Sequence, residues 1–123
     1  MSRDSARQPL VAVLYSVPLL CEAISSALDD IAEVRSFRAL RGDPVGLLES
    51  VRPDAVVVDN PIEAGRVRGW TEDRGVPLVH IGLRERKISL LRGGDWEQSN
   101  GASAESIRNV IAGSMFARGE VVG

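Results

Sequence analysis

Three short runs in this chain are almost wholly apolar, and they leave few folds open. Leu10 to Leu14 reads LVAVL, Ala55 to Asp59 reads AVVVD, and Val76 to Leu83 reads VPLVHIGL. A strand with one wet face alternates apolar and polar residues, whereas a continuous run of Val, Leu and Ile needs apolar cover on both faces. The chain is therefore expected to build a sheet sandwiched between helices.

The segments between these runs supply the helices. After the first run, Pro18 stands at a plausible first helical position. Leu19, Leu20, Ala23, Ile24, Ala27, Leu28 and Ile31 then recur at helical spacing, with Glu22, Ser25, Ser26 and Asp29 on the other side. Val34 and Phe37 mark a short second strand. Gly42-Asp43-Pro44 offers a stop, an N-cap and a first-turn proline for a helix through Leu47, Leu48 and Val51. Asn60-Pro61 closes the second run, and a weaker helical segment over Glu63 to Asp73 ends at Gly75. Ser103 can cap a final helix from Ala104 to Phe116, whose stripe is Ile107, Val110, Ile111 and Met115. Strands alternating with helices imply parallel pairing through right-handed crossovers.

The stretch from Arg84 to Asn100 supports two readings. One is a short helix over 85–92 followed by a polar edge strand over 95–99. The other is a strand over 87–92 that turns through Gly93-Gly94-Asp95 into Trp96-Glu97-Gln98. The glycine-rich turn before a tryptophan favours the hairpin.

Aromatic residues are only 4% of the 123, so the core must be aliphatic. The formal charge of −2 argues against direct nucleic-acid binding, which usually needs a net basic face. No apolar run approaches the ~20 residues that span a bilayer, so no membrane partner is expected. A single cysteine, Cys21, cannot form an internal disulfide and fits a reducing, cytoplasmic setting.

These segments together carry a resemblance. LVAVLYSVPLLCEAISSAL resembles the opening of a response-regulator receiver domain: buried strand, turn, proline and first helix. RPDAVVVDNP resembles the third strand of that family, VPLVHIGL its fourth, and NGASAESIRNVI the junction into its last helix. The resemblance implies a three-layer, flavodoxin-like α/β domain with a mostly parallel sheet of order 2-1-3-4-5 and, on the hairpin reading, an antiparallel edge. The polar first residues and the RGEVVG ending give the expected boundaries: a disordered tail over 1–9, one receiver-like domain over 10–117 and a tail or linker stub over 118–123.

In the family, a carboxylate at the end of the third strand accepts a phosphoryl group beside Mg²⁺, held by further acids after the first strand. Asp59 matches the acceptor position. Tyr15 and Ser16 stand where the acid pair is expected, and Gly82 where a hydroxyl-bearing residue is expected. The lysine position falls near Ser99 or Asn100 on one alignment and at Arg92 on the other. A hard cation needs oxygen ligands, mostly carboxylates, and these departures remove them. The resemblance thus implies an atypical receiver that needs no cofactor or metal. It would act by protein–protein contact in bacterial transcriptional regulation, on a protein partner or as a homodimer, without catalysis or phosphorylation. The alternatives are a true phosphoacceptor using Asp59, or a small-ligand sensor. The latter would use a pocket at the strand ends, where Tyr15, Ser16, Asn60 and Gly82 gather.

Blander readings stand beside these. Asp59 is expected to cap the loop that follows it, before Asn60-Pro61, and Tyr15 to pack over the sheet edge. His80, the only histidine, is expected to be a hydrogen-bonded core residue, and Cys21 inert packing. Trp70 is expected at the core margin. Trp96 is an interface candidate, as is the final helix through Ile107, Val110, Ile111, Met115 and Phe116.

Overall fold

The computed structural model describes residues 8–92, 94–101 and 103–120. Ten elements follow in order: β1 (Leu10–Tyr15), α1 (Pro18–Leu28), β2 (Glu33–Arg38), α2 (Pro44–Val51), β3 (Ala55–Val58), α3 (Pro61–Arg74), β4 (Leu78–Gly82), β5 (Lys87–Arg92), β6 (Asp95–Asn100) and α4 (Ala104–Glu120). Proline occupies the first turn of α1, α2 and α3, where its missing N–H costs nothing and its fixed φ suits the helix. The Asp43 carboxylate accepts the Val45 N–H at 3.1 Å and Ser103 Oγ accepts the Ser106 N–H at 3.1 Å, as capping of α2 and α4 requires. Gly75 ends α3 in the left-handed region at φ 66°, a conformation glycine adopts without steric cost.

The strands form one six-stranded sheet in the order β2-β1-β3-β4-β5-β6. β1 pairs in parallel with β2 and β3, and β3 with β4; β4–β5 and β5–β6 are antiparallel. This corrects the expectation of a mostly parallel sheet of order 2-1-3-4-5. A parallel neighbour needs a crossover of roughly a dozen residues or more, and only residues 83–86 separate β4 from β5. The chain therefore doubles straight back. Of the two readings of this stretch, the structure has the hairpin.

Two aliphatic layers hold the sheet between its helices. Val11, Val13, Ala55, Val57, Val79, Ile81, Ile88 and Leu90 face α1 and α4. Ala12, Leu14, Val56, Val58, Leu78 and Leu91 face α2 and α3, where they meet Leu48, Val67 and Trp70. Both faces of β1 and β3 are buried, which is why their sequences never alternate. Arg108 ties α4 to the end of α1: Nη1 donates to Ala27 O at 2.9 Å and to Asp30 Oδ1 at 2.6 Å, and Nη2 donates to Asp30 Oδ2 at 3.2 Å.

Several local expectations need correction. Leu19 is 70% exposed rather than part of the α1 stripe, which is Leu20, Ile24 and Leu28. The Pro9 carbonyl accepts the Glu33 N–H at 2.8 Å, so the N-terminal tail cannot extend to residue 9; residues 1–7 lie outside the described residues. α4 continues to Glu120, so helix replaces the tail expected from 118, and 121–123 lie outside the described residues. No helix among the described residues is long and apolar enough to cross a membrane.

Candidate functional site

β1, β3 and β4 all point their C-terminal ends toward one edge of the domain, and Asp59 lies there just past Val58. The Ser16 N–H donates to Asp59 Oδ1 at 2.8 Å and to Oδ2 at 2.9 Å, and the Val17 N–H donates to Oδ2 at 2.9 Å. These amides belong to the turn that opens α1. That helix has Val17 at its N-cap, no side-chain cap and no acid in its first turn. The first N–H groups of a helix lack intrahelical partners and carry partial positive charge. Asp59 supplies the missing acceptor from another strand, forty-odd residues away in sequence.

The cap on the following loop, expected of Asp59, falls instead to Asn60. Its Oδ1 accepts the Ile62 N–H at 2.8 Å and the Glu63 N–H at 3.3 Å, opening α3. Asp59 and Asn60 thus fasten two different helices, one on each face of the sheet. Glu63 is buried in the first turn of α3 and pairs through Oε1 with Arg66 Nη1 at 3.2 Å; Arg66 Nη2 donates to the Gly42 carbonyl at 2.8 Å.

Tyr15 is half-buried against the α1–α4 layer, and the Arg38 guanidinium lies 5.9 Å from its ring centroid. Ser16 is exposed. At Gly82, a Cβ would lie 2.5 Å from Glu85 Oε1, so the Glu85 side chain folds back over the position where a hydroxyl was expected. Lys87 is directly across from Gly82 in the β4–β5 ladder. Neither Glu85 nor Lys87 was among the sequence-derived candidates, because the short β4–β5 turn alone brings them to this end. Of the residues considered for the lysine position, Arg92 ends β5 at the far end of the sheet, while Ser99 and the backbone of Asn100 lie on the edge strand.

His80 stands in register with Val58 and Ser89. It is half-exposed, but its Nε2 is buried with no hydrogen-bond partner in the protein, so the expected hydrogen-bonded role is not seen at that atom. Burial lowers its pKa, and the negative charges of Glu85 and Asp59 oppose the shift. Cys21 is partly covered on α1; burial raises its pKa, a hydrogen bond with Ser36 opposes that, and Asp59 and Glu22 add to the rise. A thiol held protonated in this way is a poor nucleophile. Among the described residues, no three of His, Cys, Asp or Glu are grouped to hold a metal ion.

The same end of the sheet carries an apolar collar that sequence reasoning missed. Val17 is 40% exposed, Leu40 46%, Ile62 65% and Leu83 41%, and with Leu19 they follow the ends of β2, β1, β3 and β4. Leu19 and Ile62 each come directly after a helix-opening proline. Clefts lie at the other end. One of about 350 Å³ is lined by residues including Gly75, Pro77, Leu91 and Arg92. Another of about 240 Å³ is lined by residues including Glu49, Pro53, Trp70 and Arg74.

The interface candidates separate. Ile107, Ile111 and Met115 are buried beneath α4 and Val110 packs on the same layer, so this stripe is core and not a free surface. The Phe116 side chain lies outside the described residues. Trp70 is buried at the core margin, as expected, with Nε1 donating to Glu49 Oε2 at 2.9 Å and Arg74 stacked 5.6 Å from its ring. Trp96 remains 39% exposed. Comparison of the chain with protein-family models, with curated proteins and with solved structures finds no match.

Proposed function

We propose that this chain is an atypical receiver-like signalling domain, working by protein–protein contact in the bacterial cytoplasm as part of transcriptional regulation, without phosphoryl transfer. The reading rests on one observation: both oxygens of the Asp59 carboxylate are engaged by the Ser16 and Val17 amides. A phosphoacceptor must turn a carboxylate oxygen toward phosphorus, beside a cation held by further carboxylates. Here the last residue of β1 and the turn after it offer a phenol, a hydroxyl and backbone N–H donors instead. Asp59 is spent on joining β3 to α1.

The apolar collar at the strand ends supports contact with a protein. Val17, Leu19, Leu40, Ile62 and Leu83 are each exposed there, and a partner that covered that end would remove their apolar surface from water. A formal charge of −2 favours a protein partner, or a second copy, over nucleic acid.

The test is incubation of the chain with a small phosphodonor and Mg²⁺, followed by intact mass measurement. The expected result is an unmodified mass. Addition of one phosphoryl group, lost on Asp59→Asn, would reverse the reading in favour of a working phosphoacceptor.

A further inference from the structure

β6 closes one side of the sheet, with no strand beyond it among the described residues. The direction of its backbone groups follows from the ladder. Antiparallel partners alternate between exchanging two hydrogen bonds and exchanging none. The Gly101 N–H donates to the Arg86 carbonyl at 2.8 Å, one step beyond the Lys87–Asn100 pair. Asp95, Glu97 and Ser99 therefore turn their backbone groups inward to β5, and Trp96, Gln98 and Asn100 turn theirs outward.

We propose that β6 is the self-association surface of this domain, pairing antiparallel with β6 of a second copy about a two-fold axis through Gln98. An axis perpendicular to the sheet keeps like faces together, so each residue must meet one on its own face. Centred on Gln98, Trp96 exchanges hydrogen bonds with Asn100 of the second copy, and Gln98 with its own equivalent. Every outward N–H and C=O of the strand is then used. The charges agree with this register: Glu97 meets Ser99 of the second copy and Asp95 meets Gly101. Moving the axis to Glu97 sets two glutamates against each other and leaves the outward groups of Asn100 unpaired. Moving it to Trp96 sets Asp95 against Glu97.

The charges on the strand are both acidic, Asp95 and Glu97, and it has neither lysine nor arginine. It has no proline and matches β5 in length, at six residues each; natural edges are commonly shortened, bulged or guarded by lysine. β2, at the opposite edge, carries Glu33, Arg35 and Arg38. Trp96 shares its face of the hairpin with buried Leu91, on the side where no helix connects β4 to β5. A neighbouring strand covers the exposed part of its ring, the position of an interface anchor.

This deepens the protein-contact reading by assigning a surface to the second copy, and it fails separately. The experiment is sedimentation velocity of the full chain over a hundredfold range of concentration, with the tryptophan fluorescence of Trp70 and Trp96 together read in parallel. The wild type is expected to be a dimer that dissociates on dilution, with the fluorescence change tracking the mass. Gln98→Pro removes an outward N–H that β5 does not use, a place where an edge strand tolerates proline. Gln98→Lys sets two cations face to face at the axis. Both are expected to be monomeric at every concentration, with the thermal midpoint of the diluted wild type. If Gln98→Pro does not fold, Gln98→Lys carries the test. A wild type that stays monomeric, or a Gln98→Lys dimer as tight as wild type, overturns the pairing and leaves the phosphodonor result to be read independently.

Discussion

Replacing Asp59 with alanine separates a structural clamp from an acidic phosphoryl site by the sign of its effect. In the structure the carboxylate satisfies the Ser16 and Val17 amides and is the side-chain acceptor at the start of α1. Hydrogen bonds to a charged group contribute about 1.5–3 kcal/mol each, and loss of an N-cap costs about 0.5–2 kcal/mol. Ser16 is exposed and Val17 is 40% exposed, so water takes over part of the lost bonding. Asp59→Ala is therefore expected to destabilise by about 1–2 kcal/mol, towards the capping value. In a domain of this size that lowers the thermal midpoint by about 3–8 °C. Asp59→Asn keeps one acceptor oxygen but turns an NH₂ toward an amide donor, and falls between alanine and wild type. Urea unfolding followed by far-UV circular dichroism reads the difference. In a pocket of mutually repelling acids, removing one charge stabilises the fold. An Asp59→Ala chain as stable as wild type, or more so, would refute the clamp.

Two further perturbations probe the layers around it. Leu48 is fully buried on α2 against the sheet, and Leu48→Ala is expected to cost about 2–5 kcal/mol in urea unfolding; a cost below that of Asp59→Ala contradicts the packing. Burial lowers the His80 pKa, so the unfolded chain takes up a proton more readily than the folded one. Its contribution to stability is complete above the unfolded value of about 6.5 and declines as pH falls below it toward the folded pKa. His80→Val is expected to flatten the slope of stability between pH 5 and 7; an unchanged slope shows that other groups set it.

How much of this was legible in the sequence depended on range. LVAVL and AVVV read as strands because both faces of β1 and β3 are buried, a condition that leaves its mark on every residue of the run. Pro18 and Pro44 announced helix starts through their fixed φ, and Asp43 and Ser103 through bonds spanning two or three residues. Leu19 did not announce its exposure: it stands beside Leu20 in the pattern, and only the direction in which α1 meets the sheet separates them. The contact of Asp59 with Ser16 spans 43 residues, and no local pattern records it. The α4 stripe, an interface candidate in the sequence, is core because the single helix covers parts of β3 and β5 together. The antiparallel return of β5 was within reach, since the four residues at 83–86 cannot hold a crossover. Seeing that required strand ends that periodicity over so few residues does not fix.

The most direct test of the Asp59 assignment watches the two amides it holds. In ¹H–¹⁵N spectra at neutral pH, Asp59→Asn is expected to move the Ser16 and Val17 amide protons upfield together, because both donate to that carboxylate. Added Mg²⁺ is expected to leave the wild-type positions unchanged. Amides that ignore the substitution, or that shift when Mg²⁺ is added, would mean that this carboxylate is free to serve a cation after all.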